Sequence, residues 1–155
     1  MDLILWRHAQ AHESPSDGDD LVRALTPRGE RDALRMGQWL SRRLPRGTRV
    51  LVSPALRCEQ TALGLGREFQ CVPQLAPGAS VEELLEQVGW PDAARPVVVV
   101  GHQPTLGQTL AHLLGMAQAS CPVRKGAAWW LHRREREGRP QVALVGVMAP
   151  DMLGH

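Results

Sequence analysis

Lysine is all but missing from this chain: of 18 basic residues in 155, only Lys125 is a lysine. With arginine so favoured throughout, a lone arginine is no evidence of a phosphate ligand unless its place in a strand, turn and helix argues for it. Cysteine is scarce too. Cys58, Cys71 and Cys121 are odd in number and include no Cys-x-x-Cys pair, which argues against a disulfide framework or a zinc ribbon and for reduced, intracellular thiols. Long apolar runs are lacking. Only Leu3-Ile4-Leu5-Trp6 precedes Arg7, too short for the core of a signal peptide, and no later run reaches membrane-spanning length. A cytoplasmic protein without a membrane partner is the expectation. A formal charge of +2 offers no concentrated basic face, so nucleic acid is not an expected partner either.

What the chain does have is the length and apolar content of one compact domain, 1–155. Leu3–Trp6 is a short, continuous apolar run, as in a strand covered on both faces. Residues His12–Asp20 collect Ser, Pro, Asp and Gly and read as an irregular connection. Thr26-Pro27 supplies a helix cap and a first-turn proline, with Ala33, Met36, Leu40 and Leu44 on one face and Pro45 and Gly47 as the stop. Val50–Val52 reads as a second strand running into Ser53-Pro54, where Ser53 can cap a helix beginning at Pro54 that fades near Gly64 and Gly66.

Residues Gln70–Ala79 read as a connection and Ser80–Val88 as a helix opened by the capping box Ser80-x-x-Glu83. Val97–Val100 is the strongest strand signal and is expected at the sheet centre, with a helix from Pro104 to about Leu114. Ala127–Leu131 and Gln141–Val147 read as an antiparallel pair joined by the charged segment Arg133–Pro140. The fold class expected is therefore α/β, a three-layer sandwich. Its central sheet is mostly parallel, with helices on both faces and a C-terminal antiparallel strand pair.

In such sheets ligands bind beyond the carboxyl ends of the strands. Three strand ends here share one grammar of apolar strand, tight polar turn and helix start: Arg7-His8-Ala9, then Ser53-Pro54 leading to Arg57, then Gly101-His102 with Pro104. Arg57 falls in the first turn of its helix, where outward amides already favour an anion. Together these turns supply the imidazoles and guanidiniums of a phosphoryl pocket.

With Arg23-Ala24-Leu25-Thr26 and Gly29 opening the first helix, and Gln60 and Thr61 following Arg57, the chain resembles the histidine phosphatase superfamily, the phosphoglycerate mutase-like group. Within it, the short SixA-type phosphohistidine phosphatases are the nearest likeness. The match spans nearly the whole chain; Ala9 departs from the glycine that many members carry after the Arg-His pair. The resemblance implies a two-step transfer in which His8 attacks phosphorus and water then hydrolyses the phosphohistidine. It implies no metal and no cofactor. Arg7, Arg57 and His102 would surround the phosphoryl oxygens.

Arg23, on a loop beside the pocket, and Ser53 are candidate substrate contacts, although Arg23 also reads as a solvated charge and Ser53 as a helix cap. Larger relatives use a carboxylic acid to protonate a leaving alcohol; the candidate here is Glu82, while Glu83 belongs to the capping box. A leaving imidazole needs less of that help. The expected partner is thus a protein phosphorylated on histidine. A small phosphorylated molecule hydrolysed as a phosphomonoester, and a sensor that binds phosphate without turnover, are the alternatives. His12, His112, His132 and His155 sit in no motif and are assigned to surface or loop roles. Cys58 has no neighbouring base and reads as a buried helix thiol.

Overall fold

A computed structural model describes residues 1–14 and 18–154; His155 and residues 15–17 of the His12–Asp20 connection lie outside the described residues. Among the described residues six strands, β1 (Asp2–Arg7), β2 (Arg49–Val52), β3 (Gln70–Cys71), β4 (Val97–Gly101), β5 (Ala128–Arg136) and β6 (Arg139–Met148), form one sheet in the order β3-β2-β4-β1-β5-β6. The first four run parallel; β5 lies antiparallel to β1, and β6 antiparallel to β5. Four helices, α1 (Pro27–Arg43), α2 (Leu56–Leu63), α3 (Val81–Val88) and α4 (Thr105–Leu114), cover it.

Alternation along the strands divides the core between the two faces. Leu3, Leu5, Val97 and Val99 pack with Leu84 and Val88 of α3 and Leu106 and Leu110 of α4. Ile4, Trp6, Val98 and Val100 point the other way, onto Met36 and Leu40 of α1 and Cys58 and Ala62 of α2. A valine run reads as unbroken because both sides of β4 are buried.

Local capping follows the expected chemistry at two helices. Thr26 accepts the Gly29 amide at 3.0 Å with Pro27 in the first turn of α1. Ser80 and Glu83 complete a reciprocal capping box at α3. Elsewhere three boundaries depart from the sequence reading. The connection 70–79 contains the short edge strand β3, whose two residues are both exposed and so carry no apolar signal. The last two strands extend through the charged segment, and the turn falls at Glu137-Gly138. Finally, α2 starts at Leu56, after Ala55 as an N-cap residue without a side-chain bond. No helix among the described residues is long and apolar enough to cross a membrane.

Candidate active site

Because β2, β4 and β1 are neighbours, the residues that follow them emerge side by side. The His8 amide donates to the Gly101 carbonyl at 3.2 Å, and the Ser53 amide to the Val100 carbonyl at 3.0 Å. A return loop closes over the first of these ends: Gly126 donates its amide to the His8 carbonyl at 3.0 Å, and its own carbonyl accepts the Trp6 indole N–H at 2.9 Å. Gly126 has a φ of +78°, and a Cβ there would meet Pro150 at 2.8 Å, so both backbone shape and space require glycine. On the other side, α1 begins directly against the chain after His8. A Cβ on Gly29 would fall 2.0 Å from the Gln10 carbonyl oxygen, which is why the first helix opens Thr-Pro-Arg-Gly.

His8 is only 6% exposed. Its Nδ1 lies 2.8 Å from the carbonyl of Ala9, an acceptor only, so the proton sits on Nδ1 and the lone pair on Nε2. Burial drives the His8 pKa down to about 3; the Ala9 hydrogen bond works the other way, and His102, Arg57 and Arg7 add to the fall. The ring is therefore neutral at physiological pH, as a nucleophile must be. Ala9 is itself buried, and its amide donates to Thr61 Oγ1 at 3.1 Å while that hydroxyl donates to the Arg57 carbonyl at 2.7 Å. Thr61, with Gln60 accepting the Leu25 amide at 2.7 Å, thus ties α2 to the segment that follows His8.

The His102 ring centroid is 5.4 Å from that of His8. Ser53 is fully buried; its Oγ accepts the Ala55 amide at 3.2 Å and lies 2.7 Å from His102 Nε2. On the other edge of the ring Arg57 Nη2, which can only donate, lies 3.4 Å from Nδ1, so each nitrogen of His102 has a polar neighbour. One expectation is corrected: the helix that Ser53 was to cap begins at Leu56 instead of Pro54, although its Oγ still accepts the Ala55 amide. Burial, then Arg57, lowers the His102 pKa to about 4, against a smaller pull from Asp20.

Arg57 is 3% exposed. Its Nη1 and Nη2 reach the Asp20 carbonyl and carboxylate at 2.8 and 2.9 Å, and Nη2 also lies 3.4 Å from His102 Nδ1. Arg7 donates to the Val123 carbonyl at 2.8 Å, and burial lowers its pKa. The Nε of each arginine is buried without an acceptor among the described residues. Buried donors without acceptors are costly, and phosphoryl oxygens are the acceptors this chemistry suits.

Arg23 lines a cleft of about 590 Å³ with Arg7, His8, His12 and Glu13. Its Nε and Nη1 donate to Asp20 and to the His12 carbonyl at 2.9 and 2.8 Å. Glu82 is not brought to this cleft: it is exposed on α3 and lines a separate one with Gln108 and His112. Glu13 is the one carboxylate lining the His8 cleft among the described residues. Cys58 Sγ lies 3.5 Å from His102 Nε2, but burial pushes its thiol up to about 12, so it stays protonated. His12 and His112 are exposed, and His132 on β5 pairs with Asp2 on β1.

Asp20 is the residue the sequence reading missed. Burial pushes its carboxyl up, but hydrogen bonds from Arg57 and Arg23 more than offset this and hold it below its ordinary value. Its only sequence signal was a place three residues before Arg23 in a loop rich in acids.

The two depressed histidines give a pH prediction. Unfolded, each takes up a proton near pH 6.5; folded, His8 and His102 do so only near about 3 and about 4. Their contribution to stability is complete above pH 6.5 and is lost as pH falls through those lower values. Between, the slope approaches about 1.4 kcal/mol per pH unit for each ring. Thermal melts across pH 4–7 should show this slope, and His8→Gln should remove its share.

Comparison with known proteins shows the family. The family model described as histidine phosphatase superfamily (branch 1) matches residues 3–84. An uncharacterised protein of Mycobacterium tuberculosis (strain ATCC 25618 / H37Rv) is 38% identical over 104 residues, 64% of this chain and 63% of that one. The chain thus spans less than two thirds of that relative's length. The phosphohistidine phosphatase SixA of Escherichia coli (strain K12) is 31% identical over 121 residues, covering 73% of this chain and 74% of that protein. The solved structure of a SixA-type protein from Nakamurella multipartitia superposes with a TM-score of 0.79 at 30% identity, over 96% of this chain and 95% of that chain.

Proposed function

The chain belongs to the histidine phosphatase superfamily, and from that premise we propose that it is a SixA-type phosphatase that removes the phosphoryl group from phosphohistidine in a partner protein. The observation that carries this reading is the fixed tautomer of His8, its Nδ1 bound to the Ala9 carbonyl at 2.8 Å, beside Arg7, Arg57 and His102.

In the first step the Nε2 lone pair of His8 forms a bond to phosphorus while the bond from phosphorus to the substrate nitrogen breaks. The electron pair of that bond stays on the leaving ring, whose other nitrogen carries a proton, so that it departs as neutral imidazole. Arg7, Arg57 and His102 take up the charge on the three oxygens, the work a metal ion would otherwise perform. In the second step water attacks the phosphohistidine, releasing inorganic phosphate and neutral His8. Turnover is accordingly expected to persist in a chelator.

The choice of phosphohistidine over a phosphate ester rests on the carboxylates. Glu82 lies on another cleft, and among the described residues exposed Glu13 is the one acid lining that of His8. An alkoxide leaving group needs a positioned proton donor; an imidazole, far less basic, does not. The SixA likeness points the same way. The test compares a histidine-phosphorylated protein with sugar phosphates. A kcat/KM at least about tenfold higher for the protein is expected; preference for sugar phosphates would overturn the substrate assignment in favour of a phosphomonoesterase. Stable phosphate binding with no hydrolysis of either would make the protein a sensor.

A further inference from the structure

We infer that Asp20 is a positioning residue for phosphoryl transfer, holding the buried Arg57 and the cleft-lining Arg23 in one orientation from a single carboxylate. The inference rests on the reading of this pocket as a phosphoryl-transfer site. A guanidinium has two edges that bind acceptors in pairs: an end formed by both Nη atoms, and a side formed by Nε and Nη2. Residue 20 takes the end edge of Arg57, its carbonyl on Nη1 at 2.8 Å and its Oδ2 on Nη2 at 2.9 Å. The side edge is thereby left over. Its Nη2 lies 3.4 Å from His102 Nδ1, and its Nε is buried with no acceptor among the described residues.

Asp20 therefore does not occupy the edge that a phosphoryl group needs; it fixes the guanidinium so that this edge faces His102. It is also the one carboxylate paired with Arg57 among the described residues, and a guanidinium 3% exposed is costly without a countercharge. The other oxygen, Oδ1, accepts from Arg23 Nε at 2.9 Å, and Arg23 Nη1 is held by the His12 carbonyl at 2.8 Å. One side chain thus couples the arginine that holds phosphate to the arginine at the cleft wall. The short turn Asp20–Val22, capped by Asp19 accepting the Leu21 amide at 2.9 Å, sets that side chain in place.

Three variants test this. Asp20→Asn keeps the backbone acceptor and the shape but removes the charge. It is expected to weaken binding of vanadate, which mimics the five-coordinate phosphorus, by about tenfold or more, and to lower kcat on phosphohistidine by a similar factor. Arg23→Gln is expected to raise KM several-fold with kcat kept, because Arg57 remains held. Asp20→Glu, which retains the charge, is expected to recover part of the vanadate affinity.

Tighter binding of inorganic phosphate by Asp20→Asn would make Asp20 a competitor for the site and overturn the inference. So would equal losses in Asp20→Asn and Asp20→Glu, which would mark damage to the turn. Failure of the unaltered protein to hydrolyse phosphohistidine would remove the functional reading instead, while vanadate binding by the variants still reports on Asp20.

Discussion

Substitution of His8 by alanine is expected to lower turnover by about 10⁴ to 10⁶, the range seen when the nucleophile of a covalent mechanism is removed. Among the described residues, neither of the buried candidates beside it can take its place. His102 has its Nε2 engaged with Ser53, and Cys58 is held protonated by burial. The fold should survive, because the contacts that place residue 8 are made by its backbone: its amide to Gly101 and its carbonyl from Gly126. The variant should also keep the cations and so still bind phosphate. Rapid quench and intact-mass measurement provide the check. The unaltered protein should gain one phosphoryl group transiently on residue 8, labile in acid as a phosphoramidate is, and His8→Ala should show none. A phosphorylated His8→Ala protein, or full activity in it, would place the nucleophile elsewhere.

How far this site could be seen before the fold depends on which forces set each residue. The strands β1 and β4 were legible because burial on both faces leaves an unbroken apolar run, as in Leu3–Trp6 and Val97–Val100. Their polar successors then fell naturally at the sheet's carboxyl edge. The hairpin was legible only at its root. Beyond Leu131 its strands are held by pairing, with Arg134 against Gln141 and Glu135 against Pro140, and exposed pairing leaves no hydrophobic mark. Ser53 shows a different limit. Ser-Pro is good local capping chemistry and its Oγ does accept the Ala55 amide, but the same hydroxyl also meets a histidine 49 positions away, a tertiary contact with no local signal. Asp20 was invisible for the same reason. Its partner Arg57 lies 37 positions on, so nothing in the loop itself separates it from Asp19. Glu82 illustrates the converse: its place on the capped first turn of α3 was legible, while the cleft it lines was not.

Arg57→Lys is the second substitution expected to have a large effect, lowering kcat by about 10² to 10³ while leaving substrate capture less affected. The charge is conserved, so a loss of that size would show that geometry and not charge alone is required. A guanidinium can present its end edge to Asp20 and its side edge to the pocket at once; an ammonium is a single point with three donors and cannot span both. At a site 3% exposed the exchange has a further consequence. A lysine there would be pressed by burial towards its neutral form, removing the charge from the transition state as well. Restoration of activity by raising free guanidinium in a smaller variant, Arg57→Ala, would separate these effects, since the added ion can reoccupy the space between Asp20 and His102. Stopped-flow measurement of His8 phosphorylation is the direct readout. In the proposed mechanism Arg57 holds the oxygens in both half-reactions, so formation and hydrolysis of the phosphohistidine should slow together; a fall in hydrolysis alone would confine its role to orienting water.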